Sequence, residues 1–183
     1  EVIDDETSDM IEGVAFHWYS GDHFEAVKMV SEKFPDKKLV MSECCEFNSA
    51  GLASRFMMLG GQQKTLGTIE YEHAVHYAHD IIGNLNAGMN RWIDWNFFVD
   101  KDGGPRHVPG GFTAGIIANE DGTFRKKMTH YYVCHFTKYI KPGAKRIGFS
   151  RCNDDFEMTA AKNPDGSLAA VFLNKKANDV SFA

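Results

Sequence analysis

Three short apolar runs within the first 96 residues each end on polar or aromatic residues. They lie at 13–19, 39–45 and 91–96. Runs of this length suit fully buried strands, with the polar residues that follow at the rim of the sheet. Between the runs, apolar residues recur at helical spacing over 23–34 and from about 70 to 85. The pattern predicts strand, helix, strand, helix, strand in parallel right-handed units. The residues before Gly13 are expected to be the end of another helix.

The pattern changes after Pro142 and Gly143, where short stretches with a period of two replace the longer runs. Before this point the chain predicts a hairpin with an Asp121-Gly122 turn and a helix over 129–140. After it, four short strands are predicted at 146–149, 156–160, 168–173 and 180–182. The turn at 163–166 separates two of these strands. We therefore expect an antiparallel sheet in this part of the chain.

Three parallel strands are too few to close a barrel, which takes about eight at the usual strand tilt. Left open, such a sheet would expose an edge and an apolar face. We therefore expect an α/β fold in which residues 1–143 are the C-terminal part, about three strands, of a TIM (β/α)8 barrel. Residues 144–183 are expected to form part of an antiparallel β-sandwich domain. The remaining barrel strands are expected to lie upstream of this sequence.

Composition argues against several classes of partner. The formal net charge is -5 and the pI is near 5.9, and no stripe of Lys and Arg is present, so nucleic acid is not expected as the main partner. No apolar run approaches the roughly 18 residues that indicate a membrane span. The four cysteines contain no CxxC pair and are expected to be free thiols. Localisation stays open between secreted and cytoplasmic.

Glu43 is the strongest candidate for chemistry, because it ends a buried strand where barrel enzymes place catalytic groups. Its carboxylate can attack an anomeric carbon or activate a water. The alternative is a structural glutamate that caps a helix or pairs with an arginine. Glycoside hydrolysis needs two carboxylates, about 5–5.5 Å apart for retention and wider for inversion. Glu46 is too near in sequence to face Glu43 across a sugar, and the chain offers no convincing second carboxylate.

Aromatic and polar residues end the other two strands. The Tyr19 hydroxyl can donate to a neighbouring carboxylate, although a tyrosine at a rim can also serve packing alone. His17 shares a strand face with Tyr19, which leaves Trp18 to pack on the helices. Trp95 and the Asn96 amide end the third strand, where an indole can lie against a pyranose; core packing is the expectation for Trp92.

Three histidines of the second helix, His73, His76 and His79, invite a metal interpretation. The HExxH motif is absent and no second set of ligands follows. A step of three residues drifts around a helix, so the three imidazoles are not expected to converge. We expect no metal and no other cofactor, and ordinary surface and core histidines instead.

Several short motifs recur in one order along most of the chain. They are HWY at 17–19, SE at 42–43 with Cys45 two residues on, DWN at 94–96, DGGP at 102–105, HFTKYIKPG at 135–143 and NPDGS at 163–167. Each is weak alone. In this order and spacing the chain resembles glycoside hydrolase family 30, the glucosylceramidase-like enzymes, from Gly13 to about Asn174.

The resemblance implies barrel strands six to eight, part of the accompanying β-sandwich and a retaining mechanism. Glu43 would be the nucleophile and Tyr19 its hydrogen-bond donor. Trp95 would line the sugar subsite, with His17 and Cys45 nearby. The family's acid/base glutamate lies in an Asn-Glu-Pro motif that this sequence lacks, so we expect these 183 residues alone to be inactive.

The sequence leaves the substrate open. Glucosylceramidases of the family place an asparagine where this chain has Gly110. The expected activity is hydrolysis of β-glucosides, with β-1,6-glucan or xylosides as alternative substrates. The alternative to an enzyme is a non-catalytic segment that binds carbohydrate or has a structural role. An Asn-Glu-Pro motif upstream of this sequence would favour the enzyme.

Overall fold

The computed structural model describes residues 3–47, 66–105, 107, 111–150 and 154–181. The strands are β1 (Gly13–His17), β2 (Lys38–Glu43), β3 (Arg91–Trp92), β4 (Phe98–Asp100), β5 (Ile116–Ala118), β6 (Phe124–Lys126), β7 (Lys145–Arg146), β8 (Phe156–Lys162) and β9 (Leu168–Asn174). The helices are α1 (Phe24–Lys33), α2 (Leu66–Asn86) and α3 (Met128–Tyr139). The chain divides into two compact units, Glu1–Cys44 with Asp80–Trp95 and Cys45–His79 with Asn96–Ala183. Among the described residues, no helix is long and apolar enough to cross a membrane.

The first unit contains a parallel sheet with the strand order β1-β2-β3. Its central strand, β2, buries Leu39 and Met41 almost completely. Leu39 packs with Val27 of α1 and Ala87, so the helix between β1 and β2 covers the sheet through its apolar face. The three predicted parallel strands are thus confirmed, and apolar burial supplies the main force that holds them.

Close packing between helices in the same unit requires small residues. A Cβ atom at Gly83 of α2 would overlap the ring of Phe24, the first residue of α1. Gly88 follows α2 with a φ of 105°, a left-handed conformation that glycine adopts without strain. These two glycines allow the chain to leave α2 and enter β3 beside β2.

The second unit contains two further sheets. In one, β4 pairs parallel with β5, and β5 pairs antiparallel with β6 through the predicted Asp-Gly turn, where Gly122 has a φ of 82°. In the other, β7, β8 and β9 form an antiparallel sheet, and β9 alternates exposed and buried residues. The expected antiparallel sheet after Gly143 is therefore present.

Some sequence predictions differ from the structure. The segment before β1 contains a one-turn 3-10 helix at Ser8–Met10, not the end of an α-helix, because Asp4 accepts hydrogen bonds from the Glu6 and Thr7 amides and forms a local turn. Residues 180 and 181 form no strand, and Phe182 lies outside the described residues. The domain boundary between 143 and 144 remains a prediction.

Asp80 anchors the third parallel strand from inside the first unit. Its buried carboxylate accepts hydrogen bonds from Trp92 Nε1 and Asn84 Nδ2, both at 2.9 Å. Replacing Asp80 with Ala leaves two donors unpaired in the interior, so we expect a loss of about 1–3 kcal/mol of unfolding free energy. Denaturant unfolding of the full-length protein measures it. Glu32→Ala, at an exposed carboxylate of α1 whose partner Lys28 is also exposed, is the control and should stay within about 0.5 kcal/mol of wild type.

We expect Glu157 of β8 to contribute to the stability of the folded protein in a pH-dependent way. Burial raises its pKa, but hydrogen bonds from His79 Nδ1, at 2.6 Å, and from Lys175 outweigh that effect, so the pKa lies below its ordinary value of 4.5. A carboxyl whose folded-state pKa is depressed stabilises the fold above its unfolded pKa and loses that contribution as the pH falls. Glu157→Gln should therefore unfold more easily than wild type at pH 7, with a difference that shrinks below about pH 4. A Glu157→Gln effect that is independent of pH in the same unfolding series would contradict the expectation.

Candidate functional site

Glu43 ends β2 and has its carboxylate flanked by two side chains from the end of β1. Tyr19 Oη donates a hydrogen bond to Glu43 Oε1 at 3.1 Å, and His17 Nε2 lies 3.8 Å from Oε2. The Glu43 side chain is 26% exposed, so it remains accessible from one side. In the described part of the chain, this carboxylate therefore faces a phenol and an imidazole, not an arginine or a helix end.

A local irregularity in the pairing of β1 with β2 brings these groups together. Phe16 pairs with Met41, but His17 pairs with Glu43, so β2 carries one extra residue, Ser42, at this point. Such a β-bulge re-aims side chains at the end of a strand. His17 and Tyr19 then lie on one side with their rings edge to face at 5.9 Å, while Trp18 between them is buried. This is the alternation that the sequence predicted.

The end of β3 is tied to the end of β2 by main-chain and thiol hydrogen bonds. The Trp95 amide donates to the Cys44 carbonyl at 2.8 Å, and Cys44 Sγ donates to the Ile93 carbonyl at 3.4 Å. Trp95 follows β3 with its side chain half exposed, whereas Trp92 is held by Asp80. The sequence analysis did not identify Cys44 as a residue that connects the ends of β2 and β3. A buried thiol gives no sequence signal that distinguishes it from an ordinary core residue.

Two other predicted site residues belong to the second unit. Cys45 is almost fully buried with a free thiol, and Asn96 is partly exposed. Their contribution to a substrate site beside Glu43 remains a prediction. Gly110, at the position where the sequence departs from the glucosylceramidase pattern, lies outside the described residues, as does Cys152.

The histidines of α2 divide between two carboxylates. His76 Nδ1 lies 2.5 Å from Glu46 Oε1 and His73 Nε2 lies 3.7 Å from Glu46 Oε2. His79 instead hydrogen bonds Glu157. The three imidazoles therefore do not share one partner, but the sequence analysis did not foresee that a glutamate from another segment contacts the first two. Among the residues that the structure describes, no three His, Cys, Asp or Glu side chains are arranged to hold a metal ion.

The arrangement around Glu43 suits an oriented carboxylate nucleophile. A phenol that donates to one carboxylate oxygen restricts its rotation and leaves the other oxygen available to an electrophilic carbon. The half-exposed Trp95 indole offers an apolar face near the same end of the sheet.

Comparison with known proteins agrees with this geometry. The model of the glycosyl hydrolase family 30 TIM-barrel domain matches residues 1–140, and that of the family's beta sandwich domain matches residues 143–183. The lysosomal acid glucosylceramidase of Mus musculus is 31% identical over 182 residues, which cover 97% of this chain and 33% of that protein. SrfJ from Salmonella typhimurium has 32% identity and a TM-score of 0.81 over 94% of this chain and 36% of its own. A more distant relative, the endo-1,6-beta-D-glucanase neg1 of Aspergillus fumigatus, is 26% identical over 58% of this chain and 24% of its own length. The chain thus spans about a third of the length of the first two.

Proposed function

The chain belongs to glycosyl hydrolase family 30, and from this premise we propose that the protein containing it is a retaining β-glycosidase with Glu43 as its nucleophile. The observation that carries the proposal is the contact of the Glu43 carboxylate with Tyr19 and His17 at the carboxyl end of β2. Active sites of TIM-barrel enzymes lie at that end of the strands.

The proposed reaction has two displacements. In the first, one Glu43 oxygen forms a bond to the anomeric carbon while the glycosidic C–O bond breaks and a general acid protonates the leaving oxygen. In the second, water deprotonated by the same group attacks the anomeric carbon and releases Glu43. Tyr19 holds the nucleophile in orientation, and Trp95 supports an apolar face of the sugar ring. The family's Asn-Glu-Pro motif, which this sequence lacks, would supply the acid/base group.

We propose β-glucosides as the substrate class. The similarity to a mammalian glucosylceramidase over nearly the whole of this chain favours a glucosylceramide-like substrate. The similarity to a β-1,6-glucanase makes β-1,6-glucan the second candidate. Turnover of glucosylceramide in detergent micelles, compared with glucose release from β-1,6-glucan by the same preparation, distinguishes the two.

The nucleophile assignment predicts that Glu43→Gln abolishes turnover while the protein remains folded, because an amide cannot form the glycosyl ester. Incubation of the full-length wild-type protein with a 2-deoxy-2-fluoro-β-glucosyl fluoride should label one peptide, the one that contains Glu43. Mass mapping of the adduct and circular dichroism of the variant measure both expectations. An adduct on another residue, or turnover by Glu43→Gln, would remove Glu43 from this role; stoichiometric binding of sugar without turnover by wild type would favour the non-catalytic alternative.

The Tyr19 hydrogen bond gives a second expectation. Tyr19→Phe removes the hydrogen bond that orients the Glu43 carboxylate. We expect the resulting loss of attack geometry to lower kcat/KM roughly 10- to 100-fold. Tyr139→Phe is a matched control, because Tyr19 and Tyr139 are both 50% exposed and Tyr139 ends α3. Steady-state kinetics on an aryl β-glucoside measure the effect. Equal kcat/KM values for the two variants would show that Tyr19 serves packing alone.

A further inference from the structure

The second unit holds a polar cluster that the proposed function does not use. It consists of Glu46, His73, His76, Thr113 and Lys127, and we call it the Glu46 clasp. Its members come from four separated segments: the chain after β2, helix α2, the chain before β5 and the residue before α3. Charged groups are seldom buried without a reason, because removing them from water costs several kcal/mol each.

The Glu46 carboxylate is held by two histidines of α2. His76 Nδ1 contacts Oε1 at 2.5 Å, and His73 Nε2 lies 3.7 Å from Oε2. His73 is only 7% exposed. Burial lowers the pKa of His73, and the nearby Lys127 charge acts in the same direction, while Glu46 opposes both. Burial and the Lys127 charge therefore disfavour the protonated form of His73. His76, which is 43% exposed, is the histidine within hydrogen-bonding distance of Glu46.

The main chain of Glu46 is also held, by the segment before β5. The Thr113 amide donates to the Glu46 carbonyl at 3.0 Å. Phe47 pairs antiparallel with Phe112, and their rings stack with centroids 5.5 Å apart and planes at 27°. Two loops are thus joined as a short ladder with a packed aromatic pair.

Lys127 is the remaining member of the cluster. Its ammonium group donates to Thr113 Oγ1 at 2.8 Å, and its amide donates to the Gly115 carbonyl at 2.9 Å. Lys127 is buried, and burial lowers its pKa against the opposing effect of Glu70 and Glu46. Thr113 therefore links the buried Lys127 amine, through its hydroxyl, to the main chain of Glu46, through its amide. Loss of the Thr113 hydroxyl leaves the Lys127 ammonium poorly compensated.

We propose that Glu46 is a positioning residue for the reaction, acting through the segment that leaves β2. Only Cys44 and Cys45 separate it from Glu43 in the chain, and both are buried, which leaves little slack between the two glutamates. By holding the main chain and the side chain of Glu46, the clasp restrains the exit of the strand that carries the nucleophile. This inference rests on the proposed role of Glu43 as that nucleophile.

A restraint of this kind acts on bond formation more than on binding. A nucleophile displaced by about 1 Å can lose roughly 100-fold in rate, while substrate contacts made elsewhere persist. Covalent trapping by a fluoro-sugar separates the two effects, because its kinetics give a binding constant, Ki, and a rate constant for adduct formation, ki. The experiment compares Glu46→Gln and Glu46→Ala with wild type in the full-length protein.

We expect ki to fall about 10- to 100-fold in Glu46→Ala, and less in Glu46→Gln, whose amide keeps one hydrogen bond to the clasp. Ki should change by less than about threefold, and the thermal unfolding midpoint of Glu46→Gln should stay near that of wild type. Thr113→Val, which removes the hydroxyl that accepts the Lys127 hydrogen bond, should lower ki in the same direction. Glu72→Ala, at an exposed carboxylate of α2 beside His73, is the matched control and should leave ki unchanged.

The outcomes separate this inference from the function on which it rests. If the wild-type adduct forms on a residue other than Glu43, the proposed function fails first. If the adduct is on Glu43 but ki is unchanged in Glu46→Gln and Thr113→Val, the clasp has no positioning role. The inference is also overturned if ki falls only in proportion to the fraction of folded protein. It is overturned as well if ki falls equally in Glu72→Ala. Where Glu46→Ala does not fold, the Gln and Val variants decide the question alone.

Discussion

The hydrogen bond between Tyr19 and Glu43 depends on one feature of the backbone, the parallel pairing of β1 with β2. Along the first four pairs the register is regular, and it then skips Ser42 so that His17 stands opposite Glu43. The side chains at the ends of the two strands meet only because of this shift. Leu39 and Met41, buried in the middle of β2, hold the strand in place, so apolar burial a few residues away supports the polar contact.

Each of the two units contains buried or partly buried polar groups whose hydrogen bonds and ion pairs connect separate segments of that unit. Asp80 joins α2 to β3 through the Trp92 indole. In the second unit, Glu157 of β8 joins α2 to the residue after β9, and Asn163 binds the Tyr139 carbonyl and the Lys141 amide at the end of α3. Unpaired, any of these groups would cost about 1–3 kcal/mol, so the pairs specify which segments meet as well as adding stability.

Membership of family 30 connects the Glu43 site to the proposed glycosidase activity. This chain contains only part of the proposed site. The chain contains the strand with the proposed nucleophile and spans about a third of the length of its relatives. In the proposed mechanism, the proton donor would come from the family's Asn-Glu-Pro motif, which this sequence lacks. A site divided between distant parts of a polypeptide is usual in barrels, because catalytic groups come from the ends of several different strands.

The sequence by itself was sufficient to identify the family, the fold class, the strand that ends at Glu43 and the strands that precede Tyr19 and Trp95. Strand and helix periods, turn residues and ordered motifs are local properties, and they appear directly in the order of amino acids. The second strand and the Asp-Gly hairpin were predicted within a residue or two of their positions for this reason.

Beyond the expected pair of Tyr19 and Glu43, only the tertiary structure decided which polar groups meet. Nothing local to Glu46 indicates that two histidines of α2 and the Thr113 amide, far away in the chain, converge on it. The same holds for Cys44, whose thiol and carbonyl bind the chain after β3, and for the register shift that sets His17 opposite Glu43. These contacts depend on distances between residues that are remote in sequence, and chain packing sets those distances, whereas hydrophobic periodicity does not.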